Sequence, residues 1–120
     1  NDAQNAFDCA AAMNQKLAAW NGTRKEQKLI EIDHRIGIHY GPCVVGNIGG
    51  EQRAEFAVIG DVVNVASRIC DACKEFDTNF LISSDLERKI QHTFRKQVEN
   101  GYQIRGRNDP IDVVKIYDAL

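Results

Sequence analysis

A chain of 120 residues, 43% hydrophobic and 27% charged with two prolines, can build one modest core and is too short for two domains. That balance excludes a disordered segment, and a net charge of −2 argues against a nucleic-acid binder, which carries a basic surplus on one face. No apolar run approaches the ~20 residues of a membrane span and no secretion signal opens the chain. The cysteines Cys9, Cys43, Cys70 and Cys73 therefore read as reduced thiols of a cytoplasmic domain.

Ala3, Ala6, Phe7, Ala10, Met13, Leu17 and Trp20 recur at steps of three and four, which predicts an amphipathic helix over Asp2 to Trp20. Asn21-Gly22 is its expected stop. The helix starts with no capping segment before it, so the domain is expected to be truncated at its N-terminus. Next comes a period-two strand, with Ile32, Ile36, Ile38 and Tyr40 on one face and Asp33, Arg35 and His39 on the other. Gly41-Pro42 interrupts it, "CVVGNI" resumes extended structure, "GGEQR" turns, and "EFAVIG" is a short strand.

Asp61 is the expected N-cap of a helix whose stripe is Val62, Val65, Ala66, Ile69 and Cys73. "NFLIS" reads as a strand, with Ser84 capping a helix from Asp85 to about Gln91. "FRKQVENGYQIR" reads as a hairpin turning at Asn100-Gly101, and "IDVVKIYDAL" as the last strand. Helices alternate with strands, but two connections are tight, so a mixed sheet covered on one side is expected.

Several candidate sites dissolve on inspection. "GPCVVGNIGG" lacks both the Gly-Lys-Ser/Thr of a P-loop and the G-x-G-x-x-G of a dinucleotide turn. Cys70 and Cys73 have C-x-x-C spacing but no second pair to complete the four ligands of a zinc site. His34 and His39 fall on opposite faces of the expected strand and cannot chelate together.

Asn64 and Arg68 stand out. They lie four residues apart on one edge of an otherwise apolar helix, just past a strand and a glycine. Arg68 could simply pair with a nearby carboxylate, leaving Asn64 a polar edge residue. Alternatively the amide orients a polar substrate and the guanidinium neutralises phosphate charge, a task suited to its fixed charge and rigid fork of donors.

The segment "RIGIHYGPCVVGNIGGEQRAEFAVIGDVVNVASRI", Arg35 to Ile69, resembles the catalytic domain of class III adenylate and guanylate cyclases. The likeness continues through "LISSDL" and "YQIRGRNDPIDVVKIYDAL". It implies an α+β, two-layer ferredoxin-like sandwich with a mixed, mostly antiparallel sheet and helices packed on it. It also implies conversion of a purine nucleoside triphosphate, ATP favoured over GTP, to the 3′,5′-cyclic monophosphate and pyrophosphate. By the same resemblance Asn64 holds the ribose and Arg68 stabilises the α-phosphate. Ala57 and Val58 lie beside the base, and Arg105, where the family usually has lysine, binds the triphosphate tail. Ala57 is a departure, because the family commonly reads the base there with Asp, Thr or Cys. The family uses two ions, Mg²⁺ or Mn²⁺, held by two aspartates on earlier strands; none of Asp33, Asp61 or Asp109 stands in that context. The chain alone is therefore expected to be inactive. The family further implies a homodimer with shared active sites, "GNIGGEQRAEF" being the candidate arm to the partner, and no membrane contact from this domain. The alternative is a cyclase-like module that binds nucleotide or dimerises without catalysis.

Overall fold

The computed structural model describes residues 1–48, 55–105 and 107–117. The first helix, α1, spans Asp2–Glu26 and is capped after all: the Asn1 side chain accepts from the backbone N–H groups of Ala3 (3.0 Å) and Gln4 (3.3 Å). It also runs past Asn21-Gly22. One interior glycine costs a helix only about 1 kcal/mol, and here the Asn21 side chain is engaged elsewhere. Its amide donates to the Ile32 carbonyl (2.7 Å) and its Oδ1 accepts from the Ile32 N–H (2.8 Å). The true stop is Lys28, at φ 59°. The Leu29 N–H bonds to the Arg24 carbonyl and the Lys28 N–H to that of Lys25, the paired bonds of a Schellman ending with lysine where glycine is usual.

The buried face of α1 is narrower than its apolar pattern. Ala3, Phe7, Ala10, Ala11 and Asn14 are buried, whereas Met13 and Trp20 are about half exposed. Asn14 is satisfied by the ring of His34, which is how a buried amide is tolerated.

Strand β1 is only Ile36–Ile38, shorter than the alternating pattern, and Ile32 lies exposed before it. Strands β2 (Val44–Ile48) and β3 (Glu55–Ile59) form a separate antiparallel pair, Val44 opposite Ile59 and Val45 opposite Val58. The "GGEQR" turn lies outside the described residues. Helix α2 (Asp61–Ala72) follows, then β4 (Phe80–Ser83), the four-residue helix α3 (Ser84–Glu87), β5 (Arg95–Tyr102) and β6 (Ile111–Tyr117). The cap of α3 is Ser83 rather than Ser84, its hydroxyl oxygen accepting the Leu86 N–H at 3.2 Å. No hairpin turns at Asn100-Gly101. Gly101, at φ 71°, sits in a bulge of β5, and its N–H bonds to Asp112 of β6 (2.9 Å).

The main sheet has the order β1-β4-β6-β5, with β1 parallel to β4 and the other pairs antiparallel. This is the α+β fold with a mixed, mostly antiparallel sheet and helices packed on it. The sheet is not covered on one side only. Phe80, Ile82, Val114 and Ile116 pack with α1 and Leu86, while Leu81, Ile111 and Val113 pack with Val65, Ile69, Ala72 and Cys73 of α2. Residues of opposite parity on β4 and β6 thus serve opposite faces.

On the α2 face of β1 stands Gly37, and it must be glycine. A Cβ there would lie 2.4 Å from the backbone nitrogen and 2.6 Å from the Cα of Cys70. Backbone atoms cannot rotate aside, so a methyl group would push α2 off the sheet. Gly37→Ala is expected to cost about 1–3 kcal/mol, the usual penalty for overpacking. Gly46→Ala, with nothing within 4 Å of its added Cβ, should stay within about 0.5 kcal/mol. Urea unfolding of both variants checks this, and equal losses would contradict the close approach.

Candidate active site

Helix α2 owes its place to its surroundings, not to its own cap. Gly60 occupies the N-cap position with no side-chain hydrogen bond to the first turn. Its φ of 153° and ψ of 166° belong to a region open essentially to glycine. Asp61, expected as the cap, is instead the first helical residue. It faces Arg107 at 3.6 Å, and because Asp61 is largely exposed this pair orients more than it stabilises.

The stripe read from sequence is correct in its centre. Val65, Ile69 and Cys73 are buried, and Val62 and Ala66 are half-buried. Burying Ile69 completely is worth about 1.5–3 kcal/mol, so this face fixes the rotation of the helix. That rotation leaves Asn64 and Arg68 exposed, one turn apart. Among the described residues no carboxylate lies within ion-pair distance of Arg68, and neither side chain has a hydrogen-bond partner. The reading of Arg68 as half of a surface pair thus finds no partner there.

The other candidate residues are brought near to different degrees. Ala57 is half-buried in β3 opposite Gly46, and Val58 is exposed opposite Val45. Strand β3 leads through Gly60 directly into α2, so these residues and Asn64 belong to one continuous segment. Arg105 is exposed in a turn closed by the Arg107 N–H on the Ile104 carbonyl (3.1 Å). Ile104 is buried with Val65 and Ile69, and Arg107 reaches Asp61, so both flanks of Arg105 are anchored to α2. Gly106 lies outside the described residues.

Sequence reasoning missed two of these supports, Arg107 and His39. His39 Nδ1 lies 2.8 Å from Ser83 Oγ. The register of β1 on β4 sets this up: with Ile38 beside Ile82 in the parallel pair, the next residues along are His39 and Ser83. Burial is the main cause that lowers the His39 pKa below its ordinary 6.5. Asp85 and Asp61 pull it up, and Arg107 pushes it further down.

Cys73 is buried, its thiol donating to the Ile36 and Ile69 carbonyls. Burial, with a smaller contribution from Cys70 beside it, pushes its pKa up to about 11. That is the opposite of what a redox-active or metal-binding thiol needs. Among the described residues no three His, Cys, Asp or Glu side chains gather as a metal site. Among them, too, no helix is long and apolar enough to cross a membrane.

The mixed sheet, with Asn64 and Arg68 exposed on α2, is an α+β architecture shared with solved nucleotide cyclases. Residues 1–117 match the family model of the adenylate and guanylate cyclase catalytic domain. The chain is 31% identical over 118 residues to adenylate cyclase 1 of Rhizobium meliloti, covering 98% of this chain and 18% of that protein. It superposes on the adenylyl cyclase CyaB from P. aeruginosa with a TM-score of 0.80 at 25% identity, covering 99% of this chain and 60% of that one. For the guanylyl cyclase Cya2 the TM-score is 0.75 at 28% identity, over 97% and 58%. The chain belongs to the adenylate and guanylate cyclase catalytic domain family. It spans about a fifth of the length of the curated relative and under two thirds of either solved chain.

The thiol chemistry can be checked directly. At pH 8 a pKa of about 11 leaves roughly one Cys73 in a thousand as thiolate. Native protein treated with iodoacetamide should be labelled at the exposed Cys9 and Cys43 and not at Cys73, as read by peptide mass spectrometry. Labelling of Cys73 at a similar rate would contradict its burial.

Proposed function

We propose that the chain forms the triphosphate-activating part of a nucleotide cyclase. The 3′-hydroxyl of a purine nucleoside triphosphate attacks the α-phosphorus and loses its proton. The bond from the α-phosphorus to the bridging oxygen breaks, and pyrophosphate leaves with that electron pair. Asn64 holds the ribose so that the attacking oxygen is aligned, and Arg68 meets the charge that grows on the α-phosphate oxygens. Arg105 holds the triphosphate tail, and the base lies by Ala57 and Val58. The observation that carries this reading is the exposed Asn64–Arg68 edge, without a partner among the described residues, on a helix whose opposite face is buried. ATP is favoured over GTP on family likeness. Ala57 has no side-chain hydrogen bond to offer, so backbone groups or residues beyond this chain must contribute to base choice. Two divalent ions, Mg²⁺ or Mn²⁺, would supply Lewis-acid charge, with ligands from outside these 120 residues.

A second reading, a nucleotide-binding or dimerising module without catalysis, is favoured by Ala57 and by the lack of a carboxylate cluster among the described residues. Initial rates with ATP and GTP, in the presence of Mn²⁺ and in the natural polypeptide, separate the two. The catalytic reading expects cyclic nucleotide from the parent with modest purine selectivity. In Arg68→Ala it expects a fall in kcat of about 100- to 1000-fold with little change in KM. A folded Arg68→Ala protein within a few-fold of the parent would sink the assignment.

The same reading includes a homodimer with shared sites, supported by the β2–β3 pair. Val44, Val45, Val58 and Ile59 are each at least 50% exposed, an apolar surface that suits a protein partner. Val44, the most exposed of them at 69%, is the place to test it. Val44→Glu should shift sedimentation velocity towards the monomer and lower specific activity, and an unchanged dimer would remove this pair from the interface.

A further inference from the structure

Beyond the residues that would touch the nucleotide, one part-buried polar contact, His39 to Ser83, sits at the root of the loop that packs on the start of α2. The loop 39–43 leaves β1 and crosses the start of α2. A Cβ on Gly41 would meet Val62 Cγ2 at 3.0 Å, and one on Gly60 would meet the Cys43 Cα at 3.5 Å and the Pro42 carbonyl oxygen at 3.6 Å. Because the helix has no side-chain cap, this packing and the Asp61–Arg107 pair are what hold its first turn among the described residues. His39 is the root of the loop, and its ring is pinned to Ser83.

The hydrogen-bond count at Ser83 fixes the chemistry of the pin. Ser83 is fully buried, and its oxygen already accepts the Leu86 N–H. Its own hydroxyl proton needs an acceptor, and among the described residues the one hydrogen-bond partner found for it is His39 Nδ1. In that arrangement Nδ1 is the acceptor, so the imidazole is neutral with its proton on Nε2. A protonated ring would carry a donor on Nδ1, leaving the buried Ser83 proton with nothing to bond.

We infer that His39 is a positioning residue for the nucleotide site: as a neutral acceptor for Ser83 it latches loop 39–43 against the first turn of α2 and so sets Asn64 and Arg68. The inference deepens the cyclase reading and rests on it for the roles of those two residues. The latch itself stands on geometry alone.

Protonation opens the latch. The cleft around His39, about 540 Å³, is lined by Tyr40, Asp61, Asp85, Arg88, Lys89 and Arg107 among others. Asp85 and Asp61 oppose Arg107 in acting on the ring, and burial outweighs them and lowers its pKa. An unfolded chain would take the proton near pH 6.5. The contribution of the latch is thus complete above about pH 6.5 and is lost as pH falls through the lower value of the folded state.

The test is amide hydrogen exchange of the first turn of α2, residues 63–66, in the full chain between pH 5 and 8, corrected for intrinsic exchange rates. His39→Leu should exchange there about tenfold faster than the parent at pH 7.5, with β5 unchanged. His39→Asn keeps an acceptor oxygen near the place of Nδ1 and should stay within about threefold of the parent. The parent should loosen at low pH, and His39→Asn should lose that step because it has nothing to protonate. A folded His39→Leu with parental exchange, or a low-pH step that survives in His39→Asn, overturns the latch; the second criterion holds even if His39→Leu does not fold. In the cyclase assay His39→Leu should lower kcat about 10- to 100-fold with KM nearly constant, and His39→Asn should restore it. A natural polypeptide that makes no cyclic nucleotide overturns the cyclase reading, and the exchange data then still decide the latch.

Discussion

The close approach of α2 to β1 governs the rest of the structure. With Gly37 lacking a side chain, the backbone at Cys70 comes down onto the strand to a distance that no Cβ could share. Everything that defines the site follows from that contact. It brings Val65 and Ile69 into the core beside Leu81 and Val113, and burial of those side chains fixes the rotation of the helix. Once the rotation is fixed, the edge that carries Asn64 and Arg68 is left facing outwards. A larger residue at 37 would change the position of the arginine without touching it.

Orientation and charge are separated in this arrangement. Apolar packing places α2, while Asn64 and Arg68 on its other edge stay exposed to water. An arginine already bonded to a carboxylate would have to break that pair to meet a phosphate. Among the described residues Arg68 has no such bond to lose, which is what the proposed role at a developing phosphate charge requires of its donors. Arg107 is spent differently, on Asp61 at the helix start.

How much of this was legible in the sequence depends on the distance over which each feature is decided. The stripe Val65, Ile69, Cys73 and the exposed edge beside it were legible because a helix repeats within a few residues. The long, specific likeness through "VIGDVVNVASRI" supplied the family and the expected fold. What failed was set by distant partners. Asn21-Gly22 looked like a stop, yet Asn21 is bound to Ile32 and the helix ends at Lys28. Asn100-Gly101 looked like a hairpin turn, yet β6 pairs along both sides of it and Asp112 takes the Gly101 N–H, so the dipeptide makes a bulge. Met13 and Trp20 matched the helical period but lie outside the contact zone of α1. The pairing of His39 with Ser83 needed the register of two parallel strands 44 residues apart. No local pattern contains that. The catalytic assignments of Asn64, Arg68, Ala57, Val58 and Arg105 still rest on likeness and placement together.

Strand β4 has a thermodynamic consequence of its own. All four of its residues are buried, Phe80 and Ile82 toward α1 and Leu81 toward α2. The two apolar clusters therefore have no independent existence, since each borrows alternate side chains from the same four-residue ribbon. Loss of either helix would expose one side of β4 to water and weaken the hydrogen-bonded ladder on which the other helix rests. The described domain accordingly has two cores but one cooperative unit, and heat or denaturant should melt them in a single transition.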